Sequence, residues 1–337
     1  MKFAYLILCH KNANQVRRLI QRLNGAEVHF IVHASKSGDK GFFRNLKHEL
    51  HEFKNVYFCK REDGTPCAFG IVQGILNGLS LTLEKNIDFD YIVLLSGQDY
   101  PIKKEEERIR YFQKFNGKDI VPYFSIDPAD FENEKKNKNF EIWSNPQLYR
   151  IQQYWIHYCP NGKVYSIPDD SYRYGLKDAL STYFQTIFSS KSRGLLVETG
   201  NFFLTAIAKK RVLYPDNVVI FGGYTWWGLT RNTVKFLVQN KEKHKKLNDF
   251  FRHTLIPDEM YFQTLLLNSN QKDKIVSEFI KESVWDFKIS ATHPLIFKKE
   301  DIDRLKTSEK PFARKFDDQI DANILNLIDK ELLSIQE

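Results

Sequence analysis

Short apolar runs alternate with amphipathic stretches through the first third of the chain. Patterns typical of buried strands occupy residues 3–9, 28–33, 56–59 and 91–95, and the stretches between them repeat their apolar positions at helical spacing. Strands that alternate with helices predict βαβ units and a mostly parallel sheet flanked by helices. Ligands bind at the carboxyl ends of the strands in such sheets, so we expect binding residues in the loops that follow them.

The ends of the early helices can be located from the sequence. Asn12 is placed to cap the first helix and Asn24-Gly25 to end it. Two more helices are predicted over residues 41–53 and 67–83.

The regular alternation is lost over residues 120–195 and returns near Asn201. The later elements predicted are strands over residues 202–208 and 218–221, and helices over residues 181–188 and 232–240, from Pro257, and over residues 319–334. Without an internal repeat or a linker, we expect residues 1–337 to form one domain. It would comprise a nucleotide-binding half over residues 1–122, an inserted irregular subregion over residues 123–200, and an acceptor-binding and catalytic half over residues 201–337.

The composition is that of an ordinary globular protein, with 42% hydrophobic and 27% charged residues. The aromatic share of 14% is high, and aromatic faces can stack on sugar rings as well as fill a core. A formal net charge of +8 suits nucleic acid, an anionic membrane surface or a phosphorylated ligand. We expect no nucleic-acid partner, because the chain contains no recognisable nucleic-acid-binding motif.

The spacing of the cysteines and the length of the apolar runs indicate the cellular compartment. The four cysteines lack metal-binding spacing, and Cys9 and Cys59 lie in strand-like runs, a pattern typical of a reducing environment. No apolar run approaches the length of a membrane span, and no signal-like segment precedes the strand that begins at Phe3. These patterns predict a cytoplasmic protein, with peripheral contact to the inner face of the plasma membrane as the alternative.

Four segments, in this order along the chain, suggest a family. They are Tyr5-Leu-Ile-Leu-Cys-His10 with Val32-His33, Leu95-Ser-Gly-Gln-Asp-Tyr-Pro-Ile102, Gly222-Gly-Tyr-Thr-Trp-Trp-Gly-Leu-Thr-Arg231 followed by Pro257-Asp-Glu259, and Pro311-Phe-Ala-Arg-Lys-Phe316. Together they resemble the core-2/I-branching N-acetylglucosaminyltransferase family, which also includes the peptide O-xylosyltransferases. The resemblance implies an α/β, GT-A-like (Rossmann-like) fold that transfers a sugar from a nucleotide without a metal ion.

The resemblance implies that Glu259 is the catalytic base. Transfer with inversion needs a carboxylate that accepts the proton of the attacking hydroxyl, and Glu259 matches the family's base. Asp258 beside it is a candidate contact for the acceptor. An alternative stays open, because Pro257 and two acidic residues are also typical of the first turn of a helix.

The resemblance also implies that basic side chains hold the departing diphosphate. Lys315 matches the family's phosphate-binding lysine, and Arg314 is its neighbour. A second family arginine would fall near His293, which is the candidate replacement. Asp88-Phe-Asp90 has the spelling of a metal-binding motif, but it precedes a strand and we interpret it as a turn, so no metal is expected.

Four further residues are candidates for the nucleotide and the donor sugar. His10 follows the first strand and Arg61 the third, where the family carries an arginine. Ser35 stands where relatives have an acid that reaches the nucleoside, which weakens the case for uridine. Asp99 either contacts the donor sugar or shapes its turn.

Aromatic residues are the candidates for binding the acceptor. Trp226 and Trp227 point to opposite faces if the segment is extended, so one belongs to the core and the other to the sugar groove. Trp285 and Phe287 resemble a Trp-x-Tyr pair of the family, and the missing hydroxyl at Phe287 indicates a different acceptor.

The sequence therefore predicts an inverting, metal-independent glycosyltransferase with Glu259 as general base. Its partners would be a UDP-sugar donor, carrying N-acetylglucosamine or xylose, and a glycan or lipid-linked oligosaccharide acceptor, in the manner of a bacterial member of the family. The alternative of another class is a non-catalytic glycan- or nucleotide-binding protein of the same fold.

Overall fold

The computed structural model describes residues 1–65, 67–128, 130–131, 147–152, 155–158, 165–168, 218–240, 244–286 and 293–335. The first third has the predicted alternation of strands and helices. Its elements are β1 (Phe3–Cys9), α1 (Ala13–Leu23), β2 (Val28–Ala34), α2 (Phe42–Glu49), β3 (Val56–Phe58), α3 (Gly70–Glu84), β4 (Tyr91–Ser96), β5 (Asp99–Pro101) and α4 (Glu105–Gln113).

The remainder of the described chain contains short strands and short helices. The strands are β6 (Asp119–Ile120), β7 (Tyr123–Ser125), β8 (Trp155–Tyr158), β9 (Tyr165–Pro168), β10 (Phe221–Gly223), β11 (Gly228–Thr230), β12 (Ile275–Val276), β13 (Lys281–Glu282) and β14 (Phe312–Arg314). Helices cover Tyr149–Gln152, Arg231–Gln239, Lys245–Phe251, Tyr261–Leu267, Ile302–Thr307 and Asn323–Leu327, the last continued by a π-helical turn at Ile328–Leu332. Short 3₁₀ turns lie at Pro257–Glu259, Lys272–Lys274 and Lys299–Asp301.

The central sheet has seven strands in the order β12-β6-β11-β4-β1-β2-β3. β1 lies parallel to β2 and to β4, whereas β11 is antiparallel to both of its neighbours. The prediction of a mostly parallel sheet flanked by helices is confirmed.

Two apolar layers cover the faces of this sheet. Alternate residues of β1 point to opposite faces, so Tyr5 and Ile7 join one core cluster while Leu6 joins the other. The first cluster packs against Leu19 of α1, and the second against Ile75 of α3. Burial on both faces explains why β1 is an almost continuous apolar run.

A small three-stranded sheet brings together distant parts of the chain. β14 pairs with β5 antiparallel and with β13 parallel. In this register Arg314 lies opposite Asp99, and Lys281 lies opposite Phe312. Charged residues that are about 180 and 215 positions from Asp99 thus come to one place, and no local pattern in the sequence predicts this sheet.

Several predicted bounds need correction. The second helix begins at Phe42 and ends at Glu49, and α3 begins at Gly70 rather than at Cys67. The strand predicted over residues 218–221 is instead Phe221–Gly223, and the helix predicted from Pro257 is a 3₁₀ turn followed by Tyr261–Leu267. Ile256 before this turn has a left-handed backbone, which separates it from regular helix.

Other predictions are only partly covered by the structure. The predicted helix over residues 319–334 is shorter, because it begins at Asn323 and its last part widens into the π-helical turn. The strand over residues 202–208 and the helix over residues 181–188 lie outside the described residues. The division into halves at residues 122 and 200 stays a prediction. Among the described helices, none has the length and apolarity needed to cross a membrane.

Candidate active site

Three strand-end loops meet at the carboxyl edge of the central sheet. His10 follows β1, Ser35 follows β2, and the Ser96–Asp99 turn follows β4. The backbone N–H of Ser35 donates to the carbonyl of Cys9 over 2.8 Å, and that of Gly97 donates to Leu8 over 2.9 Å. The edge at which ligands bind in such sheets is therefore the edge that carries the predicted nucleotide residues.

Hydrogen bonds of Ser35 and Arg61 stabilise the loops at this edge. The Ser35 hydroxyl accepts from the backbone N–H of Gly64 over 2.8 Å. Arg61 donates to the carbonyls of Ala34 and Ser35, both over 2.8 Å, and its guanidinium lies 4.3 Å from the centre of the Phe43 ring. Both residues predicted to bind the nucleotide therefore hydrogen-bond the loop after β2 to the segment after β3.

Asp99 is fully buried and binds two cations. Its carboxylate accepts from the backbone N–H of Ser96 over 2.7 Å, from Arg314 Nη1 over 3.1 Å, and from Lys281 Nζ in a short contact. Burial by itself favours the neutral acid, but the charges of Lys281 and Arg314 outweigh it and lower the pKa of Asp99. Of the two roles predicted for Asp99, the structure shows the shaping of the turn.

The two neighbouring tryptophans separate as predicted, one into the core and one beside the charged groups. Trp227 has no exposed surface and packs against Phe262, so it is not placed to contact an acceptor. Trp226 is half-buried. Lys281 Nζ lies 3.4 Å and the Arg314 guanidinium carbon 4.7 Å from the Trp226 ring centre, which is cation–π geometry.

Basic groups surround Lys315. Burial, Arg314 and Lys11 lower the pKa of the half-buried Lys315 to about 8. Loss of solvation and the charges of Lys315 and Arg314 also lower the pKa values of His10 and His293, so the two predicted histidines belong to the same cluster. Such a concentration of positive charge suits an anionic ligand.

Arg314 keeps most of its hydrogen-bonding capacity. Its side chain is 18% exposed, and only Nη1 donates to acceptors within the described part of the chain, namely Ser96 and Asp99. A guanidinium has five N–H donors in a planar fork that matches a phosphate. The remaining donors are therefore available to a ligand.

Glu259 lies at the end of the 3₁₀ turn Pro257–Glu259. Its Oε2 accepts from Arg150 Nη1 over 2.8 Å, and its side chain is 19% exposed. Burial raises the pKa of Glu259 and Asp258 raises it further, while Arg150 opposes both effects. A partly buried carboxylate with a raised pKa is suited to accept a proton.

One short segment connects Glu259 with the cations. Asp258 is buried and accepts from the Thr225 hydroxyl over 2.6 Å, and its other oxygen, Oδ1, has no hydrogen-bond partner among the described residues. Thr225 precedes Trp226, whose ring lies against Lys281 and Arg314. The base candidate and the cation cluster are therefore joined through Thr225-Trp226, and Asp258 anchors the segment.

The remaining predictions concern the acceptor and the metal motif. Trp285 follows β13 and is half-buried, and Phe287 lies outside the described residues. Asp88 and Asp90 both bind Lys2, and they precede β4 at the sheet edge opposite to His10. The interpretation of Asp88-Phe-Asp90 as a turn away from the site is consistent with this position.

The structure adds three charged residues that the sequence interpretation missed. Lys11 pairs with Asp317 over 2.7 Å, and its place next to His10 after a buried strand is a signal that could have identified it. Arg150 and Lys281 had no such signal. Arg150 lies in a four-residue helix and Lys281 in a two-residue strand, and both elements are too short for periodicity to detect.

The comparisons with known proteins agree with this architecture. The family model described as Core-2/I-Branching enzyme matches residues 3–156 and 181–306. A xylosyltransferase of Ciona intestinalis is 21% identical over 348 residues, and xylosyltransferase 2 is 22% identical in Rattus norvegicus and 23% in Homo sapiens, each over 356 residues. These alignments cover 98% of this chain but 34% of each relative, so the chain spans about a third of their length.

Fold and comparisons together place the chain in the GT-A-like fold class. Within that class, the chain belongs to the core-2/I-branching enzyme family. The family predicted from the four sequence segments is thereby confirmed.

Proposed function

We propose that the protein transfers a sugar from a UDP-sugar to a glycan hydroxyl with inversion, using Glu259 as general base and no metal ion. One observation carries the proposal: Arg314 keeps donors free within the described residues, and Thr225-Trp226 links it to the segment that bears the partly exposed carboxylate of Glu259. The arrangement supplies a base and a cationic site, which are the two groups that the reaction needs.

The proposed reaction is a single displacement. Glu259 accepts the proton of the acceptor hydroxyl while the hydroxyl oxygen forms a bond to the anomeric carbon. The bond between that carbon and the diphosphate oxygen breaks, and its electron pair stays with the phosphate. Arg314 and Lys315 would stabilise the negative charge that grows there, and such preorganised stabilisation is often the largest catalytic term. Attack from the face opposite to the leaving group inverts the anomeric centre.

The assignment of the phosphate role to basic side chains has a physical basis. The Asp99 carboxylate is already bound by Lys281, Arg314 and Ser96, so its lone pairs are committed. The cluster of Arg314, Lys315 and Lys11 supplies the positive charge that a metal supplies in other enzymes. These contacts support a metal-independent mechanism.

The donor and the acceptor belong to the proposal as well. The relatives named above are xylosyltransferases, which favours xylose, while N-acetylglucosamine remains the second candidate. We propose a glycan or lipid-linked oligosaccharide as acceptor, bound beside Trp226 and Trp285, and a site of action in the cytoplasm or at the inner face of the plasma membrane. The net charge of +8 would favour an anionic membrane surface.

The test is a panel of sugar nucleotides that includes UDP-xylose, UDP-N-acetylglucosamine and GDP-mannose. We expect a UDP-sugar to raise the melting temperature and to be hydrolysed slowly, with the same rate in excess chelator. Glu259→Gln should bind the donor normally and lower turnover by about 10² to 10⁴. Glu300→Gln, on an exposed turn, is the matched control.

Each other outcome has a defined meaning. Donor binding without turnover in the wild-type protein, with an acceptor library present, would favour the non-catalytic module. Loss of turnover in chelator, restored by Mn²⁺, would contradict the basic phosphate site. Normal turnover of folded Glu259→Gln would exclude this residue as the base.

A further inference from the structure

Lys281 is a buried lysine that contacts the same two residues as Arg314, which belongs to the proposed phosphate site. Its side chain is 5% exposed, and its ammonium binds Asp99 and lies over the ring of Trp226. Arg314 contacts the same carboxylate and the same ring. A buried lysine loses the hydration of its charge, so a position of this kind requires compensating partners, and Asp99 with Trp226 provides them.

The sharing of Asp99 affects Arg314 directly. A single carboxylate faces two cations, so the negative charge of Asp99 is divided between Lys281 and Arg314. Without Lys281, the whole negative charge of Asp99 would face Arg314, and the guanidinium could turn more of its N–H donors toward the carboxylate. Arg314 would then be less available to an anion.

We propose that Lys281 is a positioning residue of the phosphate site: by sharing Asp99 and Trp226 with Arg314, it keeps the remaining donors of Arg314 directed toward the diphosphate of the donor. This inference rests on the proposed function, because it assumes that Arg314 binds that diphosphate. It adds a residue that does not itself touch the ligand.

Other charged groups on the neighbouring elements do not explain the position of Lys281. Glu282, next to it on β13, instead binds Arg304 and Ser308 at the surface. On β14 the facing charge is Arg314, and on β5 it is Asp99. Burial, with Arg314, lowers the pKa of Lys281 to about 7, and Asp99 opposes this shift, so the carboxylate is what favours the charged lysine.

The experiment is a double-mutant cycle that uses UDP and UMP as probes. Lys281→Met removes the ammonium and keeps the length of the side chain, and Arg314→Met removes the guanidinium. We expect Lys281→Met to lower the affinity for UDP about tenfold and the affinity for UMP about twofold or less, because UMP lacks the second phosphate. In the Arg314→Met background, the same substitution should change UDP affinity by about twofold or less. Lys272→Met, at an exposed lysine, is the matched control.

The cycle distinguishes this role from a merely structural one. Equal losses for UDP and UMP, or full additivity with Arg314→Met, would overturn the proposal, and so would unchanged UDP affinity in folded Lys281→Met. If Lys281→Met does not fold, Asp99→Asn/Lys281→Met removes both charges together. UDP affinity in that double variant should lie within about twofold of that in Asp99→Asn alone, because no carboxylate then competes with the ligand for Arg314. A selective loss of UDP affinity relative to Asp99→Asn would contradict the role. Failure of the wild-type protein to bind UDP would overturn the proposed function, and this inference with it.

Discussion

At the scale of single residues, the environment of Glu259 determines whether it can act as a base. Burial and Asp258 raise its pKa, and the charge of Arg150 lowers it. A general base works best when its pKa approaches the working pH, provided that it is still ionised there. The pair of Glu259 with Arg150 is therefore a means of adjusting the pH at which the proposed reaction begins.

Arg150→Met tests this adjustment. Without the nearby positive charge, the pKa of Glu259 should rise, because an opposite charge favours the ionised form. The base is active when deprotonated, so the acidic limb of the pH–rate profile should move to higher pH, by about one unit. Measurement of kcat/KM between pH 4 and 8 checks this, with Glu259→Gln as the reference that lacks the limb. A shift to lower pH would contradict the assignment.

The lowered pKa of Lys315 predicts how the affinity for UDP changes at alkaline pH. Its pKa is lowered to about 8, and only the protonated form attracts phosphate. UDP affinity should fall by up to about tenfold per unit above that pH, as free Lys315 loses its proton. The phosphates of UDP are already ionised above about pH 7, so they contribute little to this fall.

Calorimetric titration with UDP from about pH 7 to about pH 9 checks the alkaline limb. Lys315→Met should bind more weakly and show a flatter profile. If the variant keeps the wild-type profile, another group titrates, and Lys315 does not bind the phosphate.

At the scale of elements, the small sheet of β5, β13 and β14 is the structure that assembles the site. Its strands contain two or three residues each, too few to be stable by hydrogen bonds alone. The apolar side chains of Tyr100, Phe312 and Phe316 place it in the main core. The ion pairs of Asp99 then connect all three strands.

Asp99→Asn should reveal how much these ion pairs matter. The substitution leaves Lys281 and Arg314 without their carboxylate, and breaking a buried pair costs about 3–5 kcal/mol of unfolding free energy. The folded pKa of Asp99 is lowered, so its contribution is present above the unfolded value of about 4 and is lost as pH falls through the folded value. Urea unfolding at pH 7 and at pH 3 measures both effects. An equal loss at the two pH values would contradict the charge-based explanation.

At the scale of the whole molecule, the C-terminal segment packs against the first third of the chain. Asp329 in the π-helical turn accepts from Arg18 and Arg22, both over 2.8 Å, and from the Tyr100 hydroxyl over 2.8 Å. Arg18 and Arg22 lie on α1, and Tyr100 follows Asp99. One carboxylate therefore ties the end of the described chain to the first helix and to the site.

Asp329→Ala should loosen this connection. It leaves two arginines and a hydroxyl without their shared acceptor, and we expect the unfolding free energy to fall by about 2–4 kcal/mol. The UDP affinity of the folded protein should change less than in Lys281→Met, because Asp329 contacts no phosphate-site cation in the described chain. Urea unfolding with UDP titration checks both, and Asp303→Ala at an exposed carboxylate is the control. A stability equal to that of the control would show that the tie contributes nothing.

Some of the site residues could be predicted from the sequence and others could not. His10, Ser35 and Asp99 follow apolar runs, and because parallel strands end at a common edge, strand order was enough to bring them together. Arg314 and Lys315 were reached through the resemblance to a family. Arg150 and Lys281 were missed, because neither periodicity nor a motif marks them.

The sequence by itself determined the alternation of strands and helices, the mostly parallel sheet, the sheet edge that carries the candidate site, and the family. These depend on apolar periodicity and on short motifs, which are local along the chain. Only the tertiary structure decided which tryptophan enters the core and that Lys281 shares Asp99 with Arg314. It also decided that Arg314 keeps donors for a ligand, whereas Arg61 donates two hydrogen bonds to backbone carbonyls. The contacts of Lys281 and Arg314 with Asp99 join residues about 180 and 215 positions apart. The free energy of all these contacts comes from burial and charge that exist only after the chain has folded.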